Sequence, residues 1–238
     1  MRVLVLGGSG ATGKLVVAQL LKRKINTRIL IRETAVVSET VLGNSLLETV
    51  RGNVSELSET EMQSLVDGCS VVISCLGHNV TFTGLFGNPR RLVFEAVKRI
   101  CETATAVPGR TVRLILMSTT AYTNRFSGEK NSTGERIIFF LLKLLLPPHR
   151  DNVDTADYLI HSIGSEDERI AWIAVRPDGL IDEDAESTYE LHDSPLRSPI
   201  FDAGRTSRIN VSHFMAELVT DEQLWAQWRF KTPVIYNS

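Results

Sequence analysis

The residues best placed to do chemistry are the glycines of Gly7-Gly8-Ser9-Gly10-Ala11-Thr12-Gly13-Lys14. They follow the apolar run 3–6 and open the helical stripe of 11–23, marked by Leu15, Val16, Ala18, Leu20 and Leu21. In that setting glycines let the backbone approach a pyrophosphate and deliver it to a helix N-terminus. Gly8-x-Gly10-x-x-Gly13 is the dinucleotide spacing. Gly8-x-x-x-x-Gly13-Lys14 is nearly that of a triphosphate-binding loop, but Leu15 stands where a magnesium-binding Ser or Thr is needed. No apolar strand ending in Asp supplies a second magnesium ligand. The loop therefore reads as a dinucleotide site formed by Gly7, Ser9, Gly10, Ala11, Thr12 and Gly13; a tight turn without a ligand is the alternative.

A second signal bears on which dinucleotide. The strand of residues 27–31 ends in Arg32 and Glu33, 19 and 20 residues past Gly13. An acid at this place bonds the ribose 2′-hydroxyl of NAD, whereas an Arg accommodates the 2′-phosphate of NADP. Spacing does not separate the two, and only one of them should face the ribose. Arg32 is favoured, because a guanidinium makes paired charge-assisted bonds to phosphate. The expected cofactor is NADP(H).

Other reactive side chains are scattered. Tyr122 could donate to a substrate, His78 could touch one, and His149-Arg150 could bind an anionic group. His213 reads as structural, and Trp225 and Trp228 as packing. The five histidines show no metal spacing, and Cys69, Cys75 and Cys101 form no metal knuckle, so no metal is expected. An odd cysteine count and an N-terminus without a long apolar stretch point to a reduced, cytoplasmic setting.

These residues need elements to position them. Strands are expected at 3–6, 27–31, 47–51, 71–75, 112–117, 170–175 and 233–236. Helices are expected at 11–23, 57–66, 92–106, 154–163 and 212–228, with Pro108-Gly109 ending the third of these. Apolar strands alternating with helices imply a Rossmann-like, doubly wound parallel α/β sheet with helices on both faces. No linker interrupts residues 1–238, which read as one domain. Segments of about 122–162 and 178–206 supply the substrate side, the latter as an irregular excursion over the carboxyl edge of the sheet.

The apolar run 137–146, IIFFLLKLLL, is half a bilayer core in length as a helix. It reads as a buried or subunit-contacting helix, which leaves room for a homodimer and predicts no integral membrane segment; interfacial membrane contact is the alternative. Across 238 residues, 26 Lys and Arg face 28 Asp and Glu, a formal charge of −2. No basic field exists to hold nucleic acid. A hydrophobic fraction of 43% with so small a net charge excludes disorder.

GGSGATG at 7–13, IR at 31–32, GNV at 52–54, VISCLG at 72–77, MSTTA at 117–121, VRPDGL at 175–180 and the closing PVIYNS run through the whole chain in order. With the spacing Gly7-x-x-Gly10-x-x-Gly13, they make the sequence resemble the atypical short-chain dehydrogenase/reductases of the NAD(P)H-binding, NmrA-like type, similar to the biliverdin-IXβ/flavin reductase branch. The resemblance places Asn53 near the adenine and residues 74–77, with Cys75, Leu76 and Gly77, along the adenosine half. It places Ser118, Thr119 and Thr120 beside the nicotinamide, and Arg176, Pro177 and Asp178 near its amide. Thr120 and Ser118, with Tyr122, become the catalytic candidates, as assisting groups.

One departure bears on mechanism. Ordinary members carry Tyr-x-x-x-Lys, whose Lys lowers the tyrosine pKa. Four residues after Tyr122, Tyr158 and Tyr189 stand Phe126, Ser162 and Asp193, and Tyr236 is too near the end. The helix expected to carry the pair offers Asp154, Asp157, Tyr158 and His161 instead. A reductase passing hydride from NADPH to a small conjugated acceptor such as a flavin or quinone can dispense with the pair. The alternative is a non-catalytic NADP(H)-binding redox sensor that reports to a protein partner.

Overall fold

The central strands carry two apolar sets, one for each face of the sheet, as a two-residue side-chain period requires. In the computed structural model, which describes residues 1–36, 42–78, 87, 89–106, 109, 111–166 and 169–238, Val3, Val5, Val71, Ile73, Ile115, Ile173 and Val175 point into one core. Leu4, Leu6, Val72, Leu114, Leu116, Trp172 and Ala174 point into the other.

The strands are β1 (Arg2–Leu6), β2 (Asn26–Ile31), β3 (Leu47–Arg51), β4 (Val71–Ser74), β5 (Val112–Met117), β6 (Ile170–Pro177), β7 (Gly179–Ile181), β8 (Tyr189–His192), β9 (Arg205–Ser207) and β10 (Val234–Asn237). Eight of them form one sheet in the order β3-β2-β1-β4-β5-β6-β10-β8. All neighbours are parallel except β10 and β8. The chain reverses direction of winding between β1 and β4, so a crevice opens there at the carboxyl ends of the strands. The expected doubly wound α/β fold is the one found.

The helices are α1 (Gly13–Lys22), α2 (Glu59–Val66), α3 (Leu92–Thr105), α4 (Thr133–Leu145), α5 (Pro147–Asp157), α6 (Arg208–Thr220) and α7 (Glu222–Trp228). One face of the sheet is covered by Val16 and Leu20 of α1, Phe214 and Leu218 of α6, and Trp225 and Trp228 of α7. The other is covered by Met62 and Leu65 of α2, Val93 and Val97 of α3, and Leu159. Arg28 ties sheet to helix: its guanidinium donates to the carbonyls of Ser64, Leu65 and Asp67 at the end of α2.

Several expectations are corrected. The single helix of 212–228 is two, because the Asp221 carboxylate accepts from the amides of Gln223 and Leu224 and caps a new start. The excursion of 178–206 contains strands: β8 extends the sheet at its edge, and β7 pairs with β9. The helix expected at 154–163 begins earlier, at Pro147, where a proline suits the first turn. It runs on into a π-helical turn over Tyr158–Ile163. The run 137–146 is not buried in the chain; α4 buries only Glu135. Pro108 lies outside the described residues.

Candidate functional site

The glycine loop is shaped by its own backbone. Gly7 takes a φ of +75°, and a Cβ there would lie 2.8 Å from the carbonyl oxygen of Cys75. Its carbonyl accepts from the Gly10 amide at 2.9 Å. A Cβ on Gly13 would lie 2.1 Å from the Gly7 oxygen, so the start of α1 presses directly on the loop. Gly10 differs. It is exposed, its φ is ordinary, and a Cβ there meets only the Gly7 oxygen, at 3.2 Å. The space beyond Gly10 is open. The first turn of α1 carries no acid, and Thr12 makes no side-chain cap. The positive end of the helix is thereby left for an external anion.

A cleft of about 350 Å³ runs from this loop along the carboxyl ends of four strands. Gly7, Ser9 and Gly10 line it from the loop, Arg32 from the end of β2, and Asn53 from the end of β3. Cys75, Leu76, Gly77 and His78 line it beyond β4. Of the pair at the end of β2, Arg32 lines the cleft and Glu33 does not. Ala11, Thr12 and Gly13 stand behind the lining, the last two buried. Asn53 also closes its own turn, accepting from the Ser55 amide at 3.2 Å and donating to Glu56 at 2.8 Å. Burial pushes the Cys75 thiol up to about 12, so it stays protonated.

Two buried hydroxyls sit at the ends of neighbouring strands without a hydrogen-bond partner among the described residues: Ser74 on β4 and Ser118 just past β5. A buried orphan hydroxyl is costly unless something completes it. The open space at Gly10, the uncapped start of α1 and Arg32 fit a bound dinucleotide, whereas Ser74 and Ser118 do not line this cleft.

A second, larger cleft of about 1150 Å³ lies on the far side of β5, lined by Tyr122, Phe126, Ile137, Phe140, His149, Asp157 and His161 among others. Tyr122 donates to Asp157 at 3.1 Å. Burial, then the charge of Asp157, pushes the phenol well above its ordinary value. His161 Nε2 lies 3.8 Å from the same carboxylate. Burial also lowers the pKa of His149, which is stacked on Phe139.

Thr120 belongs to neither cleft. It borders a third, polar one of about 470 Å³ with Glu129, Lys130 and Ser194. Its hydroxyl donates to the buried Asp178 at 3.0 Å, and that carboxylate also accepts from the Gly204 amide at 2.7 Å. The hydroxyl hydrogen of Thr120 is thus committed within the fold. Pro177 ends β6, buried. The expectation for Arg176 is corrected: it is fully buried, bonded twice to Glu129 and also to the carbonyls of Thr232, Tyr122 and Asp193. A guanidinium so enclosed holds the chain together and reaches no ligand. His213 bonds Tyr189 at 2.9 Å, a structural contact.

Sequence reasoning missed Asp151. Its fully buried carboxylate accepts from the amides of Val93 and Phe94, capping α3, and meets His78 Nε2 at 2.8 Å. It thereby fixes the imidazole at the edge of the dinucleotide cleft. The signal was indirect: α3 begins at Arg91-Leu92 with no capping side chain of its own, so its orphan amides need a partner from elsewhere.

Comparison with known proteins agrees with this fold. Among solved structures, an oxidoreductase, ylbE, from Lactococcus lactis is 17% identical, with a TM-score of 0.70 over 100% of this chain and 91% of that one. The anaerobilin reductase ChuY from Escherichia coli O157:H7 is 15% identical, with a TM-score of 0.69 over 100% and 97%. A short-chain dehydrogenase/reductase from Veillonella parvula, solved in complex with NADP, is 14% identical, with a TM-score of 0.68 over 99% and 94%. A search of the curated proteins finds no match to the sequence. The model of the NAD(P)H-binding family matches residues 7–222. That match begins at the first glycine of the loop and ends at the start of α7, and on it the chain belongs to the NAD(P)H-binding family.

Proposed function

We propose that this protein is an NADPH-dependent reductase that passes hydride to a small conjugated acceptor, a flavin, a quinone or a similar molecule, without a Tyr/Lys pair. The observation that carries the reading is the pairing of Tyr122 with the anion Asp157 rather than with a cation. A phenol whose proton is held by a carboxylate and whose pKa is raised can orient an acceptor but is a poor proton donor to it. A conjugated acceptor needs no such acid, because its own π-system spreads the arriving charge and solvent completes the protonation. The anaerobilin reductase among the structural neighbours supports an acceptor of this kind.

In this reading the residues divide by task. Gly7, Ser9, Gly10, Ala11, Thr12 and Gly13 hold the pyrophosphate, with the α1 N-terminus opposing its charge. Arg32 takes the 2′-phosphate and Asn53 borders the adenine. Cys75, Leu76 and Gly77 follow the adenosine, and Ser118 and Pro177 flank the nicotinamide. The bound NADPH supplies the hydride. Ser118 offers an unspent hydroxyl. Tyr122 borders the acceptor side. Thr120 acts one step back, through Asp178. Segments 122–162 and 178–206 form the acceptor side of one domain spanning 1–238, working in the cytoplasm on a small molecule.

The second reading is a redox sensor that binds NADP(H) and turns nothing over. It is favoured by the same feature, the hydrogen bond of the Tyr122 phenol to Asp157, with no cation bonded to that phenol among the described residues. NADPH consumption with a panel of flavins, quinones and aldehydes separates the two. Acceptor-dependent consumption with flavins or quinones supports the reductase. Stoichiometric NADPH binding without consumption by any acceptor supports the sensor.

A further inference from the structure

We propose that α4 docks this protein onto the surface of an anionic lipid bilayer. Ile137, Phe140, Leu141, Leu144 and Leu145 recur at helical spacing on one side of α4 and are 57, 67, 45, 68 and 64% exposed. Five large apolar side chains in one unbroken stripe exceed the scattered exposure of an ordinary soluble surface. The stripe does not reflect a loosely attached helix. Ser132 and Glu135 form a capping box at its start. The Glu135 carboxylate also accepts from Ser198 at 2.6 Å, and Ile138, Phe139 and Leu142 are half-buried on the inner side. The body of the protein therefore holds α4 with its apolar stripe exposed, Ile137, Phe140 and Leu141 lining the larger cleft and Leu144 and Leu145 continuing the stripe beyond that lining.

Charge decides what covers the stripe. The only acid of α4 is Glu135, which is buried and spent. Arg136 and Lys143 flank the stripe, and Arg125 borders the same concave surface. Among the described residues Arg125 and Arg136 have no ion pair, whereas Lys143 and Arg150 share Asp154 at 3.8 and 3.7 Å. A two-fold pairing of α4 with a second copy would bring this patch onto itself, cation against cation. An anionic lipid surface meets both requirements at once: acyl chains for the stripe and phosphates for the rim. No helix among the described residues is long and apolar enough to cross a membrane, so α4 lies in the interface plane. The proposal stands apart from the reductase reading, since docking needs neither cofactor nor turnover.

The test is sedimentation of the full chain with vesicles, without NADPH. Phosphatidylcholine vesicles containing phosphatidylglycerol are compared with phosphatidylcholine alone. The expected result is binding to the anionic vesicles that weakens as salt is raised. Leu144→Glu should weaken it by about tenfold or more, with an unchanged circular dichroism spectrum. Arg136→Gln combined with Lys143→Gln should weaken it roughly tenfold to thirtyfold, as expected for the loss of two basic residues at a lipid surface. If Leu144→Glu fails to fold, Leu145→Ser serves in its place. The proposal is overturned by an absence of binding to either vesicle, by equal binding to both, or by full binding of the folded Leu144→Glu variant. A dimer in equilibrium sedimentation that Leu144→Glu dissociates, with no vesicle binding, would assign the stripe to a second copy.

Discussion

Tyr122 donates its phenol hydrogen to Asp157 across 3.1 Å, and among the described residues Lys143 is the one lysine that lines the same cleft. The tyrosine is therefore held as a neutral donor. Tyr122→Phe should lower kcat/KM by less than about tenfold, the cost of one orienting hydrogen bond. Steady-state NADPH oxidation with the active acceptor measures this. A loss of about four orders of magnitude would make Tyr122 a true acid and contradict the reading.

The same burial gives a pH dependence of stability. Tyr122 and Tyr236 are pushed up, and Tyr158 and Tyr189 are pushed up to about 12, in each case first by burial. The folded chain thus holds these protons more tightly than the unfolded chain does. Their contribution to stability is complete below the unfolded value near 10 and is lost as pH rises beyond it. Thermal unfolding followed from neutral to alkaline pH should show Tm falling above about pH 10, less steeply in Tyr122→Phe. Parallel curves for the two proteins would remove Tyr122 from the effect.

Arg32 lines the dinucleotide cleft and Glu33 does not. NADP should bind more tightly than NAD, and Arg32→Ala should remove most of the difference. The loss expected is about 1.5–3 kcal/mol, as for a hydrogen bond to a charged group. Calorimetric titration of both cofactors reads it directly. Equal affinities in the unaltered protein would transfer the ribose contact to Glu33.

Two glycines of the loop should fail in different ways. Gly10→Val should fold and lose dinucleotide binding, because the added side chain enters open space where the pyrophosphate is placed. Gly13→Ala should lose stability first, since its Cβ would lie 2.1 Å from the Gly7 oxygen. Thermal melts combined with NADPH titration separate the two. Gly10→Val binding NADPH as tightly as the unaltered protein would move the site elsewhere.

Much of the fold was legible because its signals are local. The continuous apolar runs of β1, β4 and β5, and the glycines after β1, sit in contiguous stretches of sequence. What stayed hidden depends on distant partners. Arg176 follows an apolar strand like a residue aimed at a ligand, yet Glu129, 47 residues away, encloses it. Asp151 is one acid among several on α5, and only the meeting of α3, α5 and His78 gives it a task. Thr120 follows the same rule through Asp178. The apolar density of α4 was plain, but density alone does not say which side faces the body. That depends on distant contacts such as the bond of Glu135 to Ser198, 63 residues away, on the attached side of α4.

The central claim is hydride transfer from NADPH, and the most direct measurement follows the hydrogen itself. NADPH deuterated at C4 on one face or the other is incubated with the protein and the acceptor that turns over. The nucleotide is then recovered for mass spectrometry. The account predicts that one face loses its deuterium completely, the other keeps it, and neither loses it without acceptor. Stoichiometric NADPH binding with deuterium retained on both faces, whatever acceptor is present, would contradict it.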